Sequence, residues 1–330
     1  MIKNRVALWD NIKFFLITLV VIGHLADEFT GQSDFYKSIF LFIYSFHMPL
    51  FIFISGLFHS EKNIVQKCIF YVSIGFLYKI LSVVIDRLQG NVNVSFSLLS
   101  DGGISWFMFV LAIYTIIFYI LKNQNKKYIL VFSIMLACFV GYDKSINDFL
   151  YLSRTIIFFP FYLLGTMIKS KEIIEFKEKN KYLLFAGVFI ILLWLVLCFV
   201  NLNEVYKLRY LFTGRNPFYP EIIKYGPVIR LFCYFISTLL CFSFIVCIPS
   251  KEIRFISKMG KNSINVYFWH WKLYLLLYSY LNISNLFFVG RFGKIIFLLI
   301  GILISVILSQ DIFSFPMKQV KKYINKINTI

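Results

Sequence analysis

The first residues that could do chemistry are a lysine and a histidine in the first apolar run. Lys13 and His24 are separated by ten residues in a stretch that otherwise reads as a membrane helix. On an α-helix that step covers about 16 Å and turns about 1100°, roughly 20° past three full turns. Both side chains therefore lie on one face at different depths. A lysine can hold an anionic group at one depth, and an imidazole can move a proton at the other.

This pair also has a simpler explanation. Lys13 can extend to the nearer membrane surface, and His24 can mark the end of the helix. An ionisable side chain in hydrocarbon is costly, however, so two on one face are expected to face a bundle interior or a wet cavity. If the helix continues past His24, a carboxylate of Asp27 or Glu28 shares its face and can orient the imidazole.

The composition is that of a membrane protein. The chain has 330 residues, of which 59% are hydrophobic, 20% aromatic and 15% charged. We expect the first apolar run to be retained as a helix, because it carries Lys13 and lacks a small-residue cleavage site. The predicted fold class is an all-α, polytopic integral membrane bundle of about ten transmembrane helices, forming a single domain over 1–330. The predicted spans are 7–25, 36–58, 64–85, 104–121, 128–142, 154–169, 182–200, 227–249, 263–281 and 292–313.

The basic residues follow the predicted spans. The formal net charge is +18, but the lysines and arginines flank membrane helices, so no nucleic-acid partner is predicted. Placing both termini and the loops after even-numbered spans on one side collects most of the basic loop residues. That side is then the cytoplasm. We predict a multi-pass protein of the bacterial cytoplasmic membrane with a basic cytoplasmic tail at 314–330, in contact with anionic lipids.

The cysteines and one long loop bear on what kind of site is predicted. The six cysteines lie in apolar runs without metal or redox spacing, so we interpret them as small buried hydrophobic residues and predict no metal. The outer loop 201–226 is long, polar and rich in proline, which favours a functional role as a lid or acceptor platform. It carries Arg209 and Arg215, the predicted substrate-binding arginines.

Five motifs that could serve a membrane enzyme occur along the chain. They are Lys13-x10-His24, Ser45-Phe-His47-Met-Pro49, Trp106-Phe-Met108, Arg154 to Gly165 and Gly260 to His270. The ordered set resembles the acyltransferase-3 family, and most of all its fucose 4-O-acetylase branch of bacterial surface-polysaccharide acetyltransferases. In that family the first motif often begins with arginine. Lys13 keeps the charge without the planar fork that holds a phosphate with two parallel hydrogen bonds.

The resemblance implies transfer of an acetyl group from cytoplasmic acetyl-CoA to a sugar hydroxyl at the outer side. The acceptor would be a cell-envelope, capsular or exopolysaccharide glycan, or its lipid-linked precursor. A sugar hydroxyl is a poor nucleophile, so a base must take its proton, and histidine suits that task near neutral pH. His24 is the predicted base, with His47 next. The predicted donor-binding residues, at the cytoplasmic mouth and the inner half of the spans, are Lys13, Lys62, Lys67, Lys258, Lys261 and His270.

The remaining motif residues have two interpretations each. His47 can assist the base or be packed in the core, and Pro49 should bend span two just beyond it. Arg154 can stabilise the oxyanion or pair with Asp148 or Asp143. Trp106 can stack on a sugar or anchor the helix at the membrane interface.

The function of the whole chain also has alternatives. A membrane carrier or flippase for a polar or lipid-linked sugar would also need polar residues inside the membrane. A structural partner in polysaccharide assembly is a third possibility. The enzyme is favoured because Lys13 and His24 suit a donor that reaches outward from the cytoplasm, and because no related halves are visible.

Overall fold

The chain is predominantly helical over the residues that the structure describes. The computed structural model describes residues 6–90, 96–100, 103–281 and 290–327, and these ranges contain no β-strand. The all-α fold class is therefore confirmed. Helices suit such apolar runs because every backbone polar group is satisfied within the segment. In chain order the helices are α1 (Ala7–Glu28), α2 (Asp34–Tyr44), α3 (His47–Leu57), α4 (Ile64–Leu88), α5 (Trp106–Ile120), α6 (Lys126–Phe139), α7 (Leu152–Met167), α8 (Ser170–Lys179), α9 (Leu183–Val200), α10 (Leu202–Val205), α11 (Arg209–Phe212), α12 (Gly226–Cys247), α13 (Arg254–Lys261), α14 (Ser263–Leu281), α15 (Gly290–Leu308) and α16 (Met317–Ile327).

The polytopic membrane architecture is also confirmed. Among the described residues, seven helices are long and apolar enough to cross a membrane. They are Ala7–Glu28, Asp34–Leu57, Ile64–Leu88, Phe149–Met167, Leu183–Val200, Ile223–Cys247 and Gly290–Leu308. Each of the ten predicted spans coincides with helical structure, but α5 and α6 have only 15 and 14 residues. The count of ten and the cytoplasmic termini remain predictions.

The second predicted span is broken at a different place from the one expected. The break separates α2, which ends at Tyr44, from α3, which begins at His47. The break therefore precedes His47, and the prediction of a bend just beyond the histidine is wrong. The reason is the position of Pro49 in the first turn of α3, where the missing N–H has no intrahelical partner to lose.

The chain forms two compact units. The first comprises residues 1–47, 177–207 and 239–317, and the second comprises 48–176, 208–238 and 318–330. The prediction of a single domain over 1–330 stays a prediction. Each unit is described by itself below.

The first unit is built around α1. This helix packs against α2, α13, α14 and α15, and a side chain at Gly260 of α13 would overlap the carbonyl oxygen of Asp10. Asn11 ties the same end of α1 to the segment before α13. Its Nδ2 donates to the carbonyls of Pro249 and Lys251 at 3.0 and 2.9 Å. The start of α1, which carries Lys13, is thereby fixed against α13.

The second unit contains a close helix pair and a folded loop. Side chains at Gly56 of α3 and Gly165 of α7 would overlap the carbonyl oxygens of Tyr162 and Phe53, respectively, so the two backbones are in contact. The predicted loop 201–226 contains the short helices α10 and α11. Its part in this unit folds against α7 and the segment that follows α6. Ser153 Oγ donates to the Gly214 carbonyl at 2.6 Å, and the Phe218 N–H donates to the Gly141 carbonyl at 2.8 Å.

Candidate active site

The first unit gathers three histidines and a tyrosine. His24 lies near the end of α1 and is half-buried. Its Nδ1 is 3.1 Å from the hydroxyl of Tyr44, and the Tyr44 ring is 4.7 Å from the ring of His47. The ring of His270 on α14 is 5.4 Å from that of His24. These residues, His24, Tyr44, His47 and His270, are called the histidine cluster below.

The structure brings His270 and His24 to the same level, although they were expected at different depths. The sequence placed His270 on the cytoplasmic half of its span, near the donor-binding lysines, and His24 near the other surface. Instead the two imidazoles are neighbours, with Trp271 at 6.1 Å from His24. The physical reason is that α1 and α14 run together in the same unit. His270 therefore belongs with the predicted base rather than with Lys13, and donor binding by His270 stays a prediction.

Backbone carbonyls fix the tautomers of two histidines. His47 Nδ1 is 2.9 Å from the carbonyl oxygen of Ile43, and His270 Nδ1 is 2.8 Å from that of Val266. A carbonyl only accepts, so each Nδ1 carries the proton and each Nε2 carries a lone pair. His270 Nε2 is buried and has no hydrogen-bond partner within the described ranges. The cluster thus presents imidazole nitrogens that can accept a proton.

His24 differs because its partner is a hydroxyl. Tyr44 can donate to Nδ1 or accept from it, so both tautomers of His24 are compatible with the 3.1 Å contact. When Tyr44 accepts, Nε2 is the basic nitrogen. Tyr44 was not among the predicted site residues, and it lies on the other side of the helix break from His47.

The acidic neighbours of α1 are not those expected. Lys13 Nζ is 2.8 Å from a carboxylate oxygen of Asp10, and Asp10 is only 2% exposed. Sequence analysis missed this pair, although i, i+3 spacing signals it. Asp27 and Glu28 lie exposed in the last turn of α1. Their role in orienting His24 stays a prediction.

The predicted donor-binding lysines divide between the units. In the first unit, Lys258 and Lys261 are exposed on α13, and α13 packs beside the end of α1 that carries Lys13. Lys261 is 3.9 Å from Glu252. In the second unit, Lys62 is exposed and Lys67 donates to the carbonyl of Ser60.

The second unit brings Arg154 and Trp106 together. Arg154 is 4% exposed, and its guanidinium lies 4.9 Å from the centre of the Trp106 ring. Trp106 is itself buried and stacks on Phe158. Arg154 Nη1 is 3.9 Å from Asp148, which confirms that ion pair. Asp143 instead accepts from the backbone N–H and hydroxyl of Ser145, and these bonds lower its pKa.

The other basic loop residues are exposed or locally paired. Arg215 is exposed, and the guanidinium of Arg209 stacks on the adjacent Tyr210 at 4.2 Å. Their substrate-binding roles stay predictions. His59, just after α3, lies 2.6 Å from the hydroxyl of Tyr162. Burial and the positive charge of Lys67 lower the pKa of His59 to about 4, so it is neutral near pH 7.

Arg230, an arginine of α12 that is 1% exposed, was not among the predicted site residues. Its Nη2 donates to Asn216 Oδ1 at 3.0 Å, and its guanidinium lies 5.1 Å from the centre of the Phe218 ring. The signal was a lone arginine inside the apolar run 227–249. The rule that selected Lys13 applies to it equally.

A helical membrane protein whose spans contain a cluster of histidines belongs to the class of membrane proteins with a polar site inside the spans. Comparison with known proteins makes the assignment more specific. A family model described as an acyltransferase domain matches residues 6–313. The chain belongs to the acyltransferase-3 family.

A curated relative matches over part of the chain. The nodulation protein NolL of Mesorhizobium japonicum is 30% identical over 184 residues, which is 49% of this chain and 48% of NolL. The match thus spans about half the length of that relative. No solved structure matches the chain significantly. Family membership supports an acyl-transfer activity and the use of an acyl donor.

Proposed function

We propose that this protein is a membrane O-acetyltransferase that moves an acetyl group from acetyl-CoA to a sugar hydroxyl of a cell-envelope glycan or its lipid-linked precursor. The observation that carries this proposal is the half-buried imidazole of His24, with a phenol 3.1 Å from Nδ1 and a second imidazole beside it. Within an acyltransferase family this arrangement supports a general base. The family match also favours acyl transfer over the carrier hypothesis.

The proposed step moves one proton and one acyl group. The acceptor hydroxyl oxygen attacks the thioester carbonyl carbon while His24 takes the hydroxyl proton. The tetrahedral intermediate then collapses, the C–S bond breaks, and the CoA thiolate leaves. The imidazolium returns its proton to that thiolate. In the productive tautomer Tyr44 accepts from Nδ1–H, which holds Nε2 toward the acceptor and stabilises the positive charge that develops on the ring.

Donor binding is proposed at the Lys13 end of α1. CoA carries several negative charges that do not enter hydrocarbon unneutralised, and Lys258 and Lys261 are exposed near that end. The Asp10 carboxylate already matches the charge of Lys13. A donor phosphate at Lys13 therefore has to compete with Asp10, so the exposed lysines are the stronger candidates.

The donor and the acceptor are proposed to arrive from opposite sides. By helix geometry His24 lies about 16 Å beyond Lys13 along α1, and the distribution of basic loops orients that direction outward. The extended arm of CoA can then carry the acetyl group outward while the nucleotide stays at the cytoplasmic mouth. The acceptor class rests on the family resemblance.

Sealed vesicles of both orientations test the proposal. Labelled acetyl-CoA is supplied on the cytoplasmic face only, and an impermeant oligosaccharide acceptor is held on the outer face only. We expect labelled O-acetyl ester on the acceptor with the wild-type protein and none with His24→Ala. Transfer that requires both substrates on the cytoplasmic side would contradict the sidedness. Absence of acetyl transfer in every arrangement, with all candidate acceptors, would contradict the activity itself.

A further inference from the structure

The second unit contains a buried cation, Arg230, for which the described residues provide no counter-ion. Arg230 is 1% exposed and remains protonated in proteins. Two of its guanidinium nitrogens, Nε and Nη1, are buried without a hydrogen-bond partner in the part of the chain that the structure describes. Over those same ranges no carboxylate pairs with it. The ionisable side chains that interact with it electrostatically, Tyr234, Cys233 and Cys138, are uncharged near pH 7.

Other buried cations of this unit have the kind of partner that Nε and Nη1 of Arg230 lack among the described residues. Arg154 has a carboxylate of Asp148 at 3.9 Å. Lys79 is 5% exposed and donates to the carbonyls of Ser97 and Leu98 at 2.8 and 3.0 Å. Among the described residues, the partners of the Arg230 guanidinium are the amide oxygen of Asn216 and the face of the Phe218 ring. Breaking or omitting the partner of a buried charge is strongly unfavourable, so a negative partner is expected.

A small cavity lies at Arg230. Its walls are apolar apart from Arg230, Tyr234 and Ser237, and the hydroxyl of Tyr234 already donates to the Ile157 carbonyl. The cavity has room for about one water molecule. Arg230 is the charged residue of this lining, and within the described ranges its Nε and Nη1 lack partners. An atom or group of that size beside it is best stabilised if it is negatively charged.

We propose that Arg230 forms a buried anion-binding site, which takes one small anion such as a halide or a single anionic oxygen of a larger ligand. The bound anion would complete the partners of Nε and Nη1. It would also stabilise the loop that contacts Arg230, because Asn216 and Phe218 both belong to that loop, and the Phe218 N–H donates to the Gly141 carbonyl at 2.8 Å. This inference does not depend on acyl transfer, since it concerns binding and stability.

Thermal unfolding of the full chain in detergent micelles tests the site. Bromide replaces a bulky sulfonate buffer anion at constant ionic strength, and sodium glucuronate forms a second arm. We expect a saturable rise of about 2–4 °C in the unfolding midpoint with at least one probe. Stabilisation by bromide identifies a free inorganic anion as sufficient. Stabilisation by glucuronate alone identifies the carboxylate of a sugar acid.

Two variants control the experiment. Arg230→Met removes the cation and should abolish the anion dependence, while Lys79→Met, which removes another buried cation of the same unit, should retain it. If Arg230→Met fails to fold, the wild type and Lys79→Met still decide the question, together with an anomalous bromide peak at the guanidinium in a crystal. An unfolding midpoint of the wild-type protein that is independent of both probes would overturn the proposal and leave the cavity to water.

Discussion

The two compact units differ in the buried ionisable side chains that they contain, although the first also contains a buried cation, Lys272. In the first, imidazoles and a phenol form the histidine cluster, and the lysine on the same helix face is paired with Asp10. In the second, Lys79, Arg154 and Arg230 are buried cations. Imidazoles exchange protons near neutral pH, whereas guanidinium groups do not. The groups that can exchange protons near neutral pH are therefore found mainly in the first unit, whereas the buried arginines Arg154 and Arg230 belong to the second.

Removal of the predicted base, His24, is expected to have the largest effect. We expect His24→Ala to reduce the turnover number about 10²- to 10⁴-fold, the usual loss for a general base. Donor affinity should be unchanged, because the proposed donor-binding residues Lys13, Lys258 and Lys261 lie at or beside the other end of α1. Steady-state transfer and equilibrium binding of acetyl-CoA by the purified protein separate the two effects. Unchanged turnover would move the base to His47 or His270.

The second largest effect is expected at Arg154, if its predicted role at the oxyanion is right. Arg154→Gln should then lower turnover about 10²- to 10³-fold, as for the loss of an oxyanion donor. The matched variant Asp148→Asn removes the ion pair and keeps the arginine, so its turnover should stay close to that of the wild type. Equal losses in both variants would show that the pair is structural.

Tyr44 offers a smaller effect that sharpens the account of the cluster. Tyr44→Phe removes the hydroxyl that contacts His24 Nδ1. We expect this variant to lower turnover about tenfold, as for the loss of one hydrogen bond. The acetyl-CoA dissociation constant should not change, because Tyr44 acts through His24. The control is Tyr36→Phe, at another buried tyrosine of α2. Equal losses in the two variants would indicate general repacking.

The smallest effect is expected at the exposed lysines of α13. Charge reversal in Lys258→Glu with Lys261→Glu should raise the KM for acetyl-CoA several-fold and leave turnover nearly unchanged, because these residues attract phosphates away from the chemistry. Rising ionic strength should weaken donor binding in the wild type and much less in the double variant. A KM equal to that of the wild type would reject the proposed placement of the nucleotide.

The helical framework could be predicted because its signals are local. Long apolar runs determine membrane helices by length and composition alone, and the ten predicted spans all coincide with helical structure. The shift of the break in the second span shows the limit. Proline stops a helix only where it removes a bond, and whether Pro49 lies in a first turn depends on where α3 begins.

The candidate site was only partly predictable for a different reason. His24 and Arg154 stand out because charges are rare in apolar runs, but Arg230 was overlooked despite the same signal. The contacts of Tyr44 and His270 with His24 depend on how α2 and α14 pack against α1. Periodicity gives the face of a helix and its approximate depth, whereas the neighbouring helix and its register are tertiary information.

Chemical rescue of His24→Gly tests directly whether His24 removes the acceptor proton. This variant leaves a space at the imidazole position, and single-turnover acetyl transfer is measured with donor already bound, as imidazole is added. If His24 removes the acceptor proton, the variant should be nearly inactive alone, imidazole should restore transfer at least about tenfold, and the neutral form of imidazole should be the active one. Transfer by His24→Gly at the wild-type rate without imidazole would show that His24 is not the base.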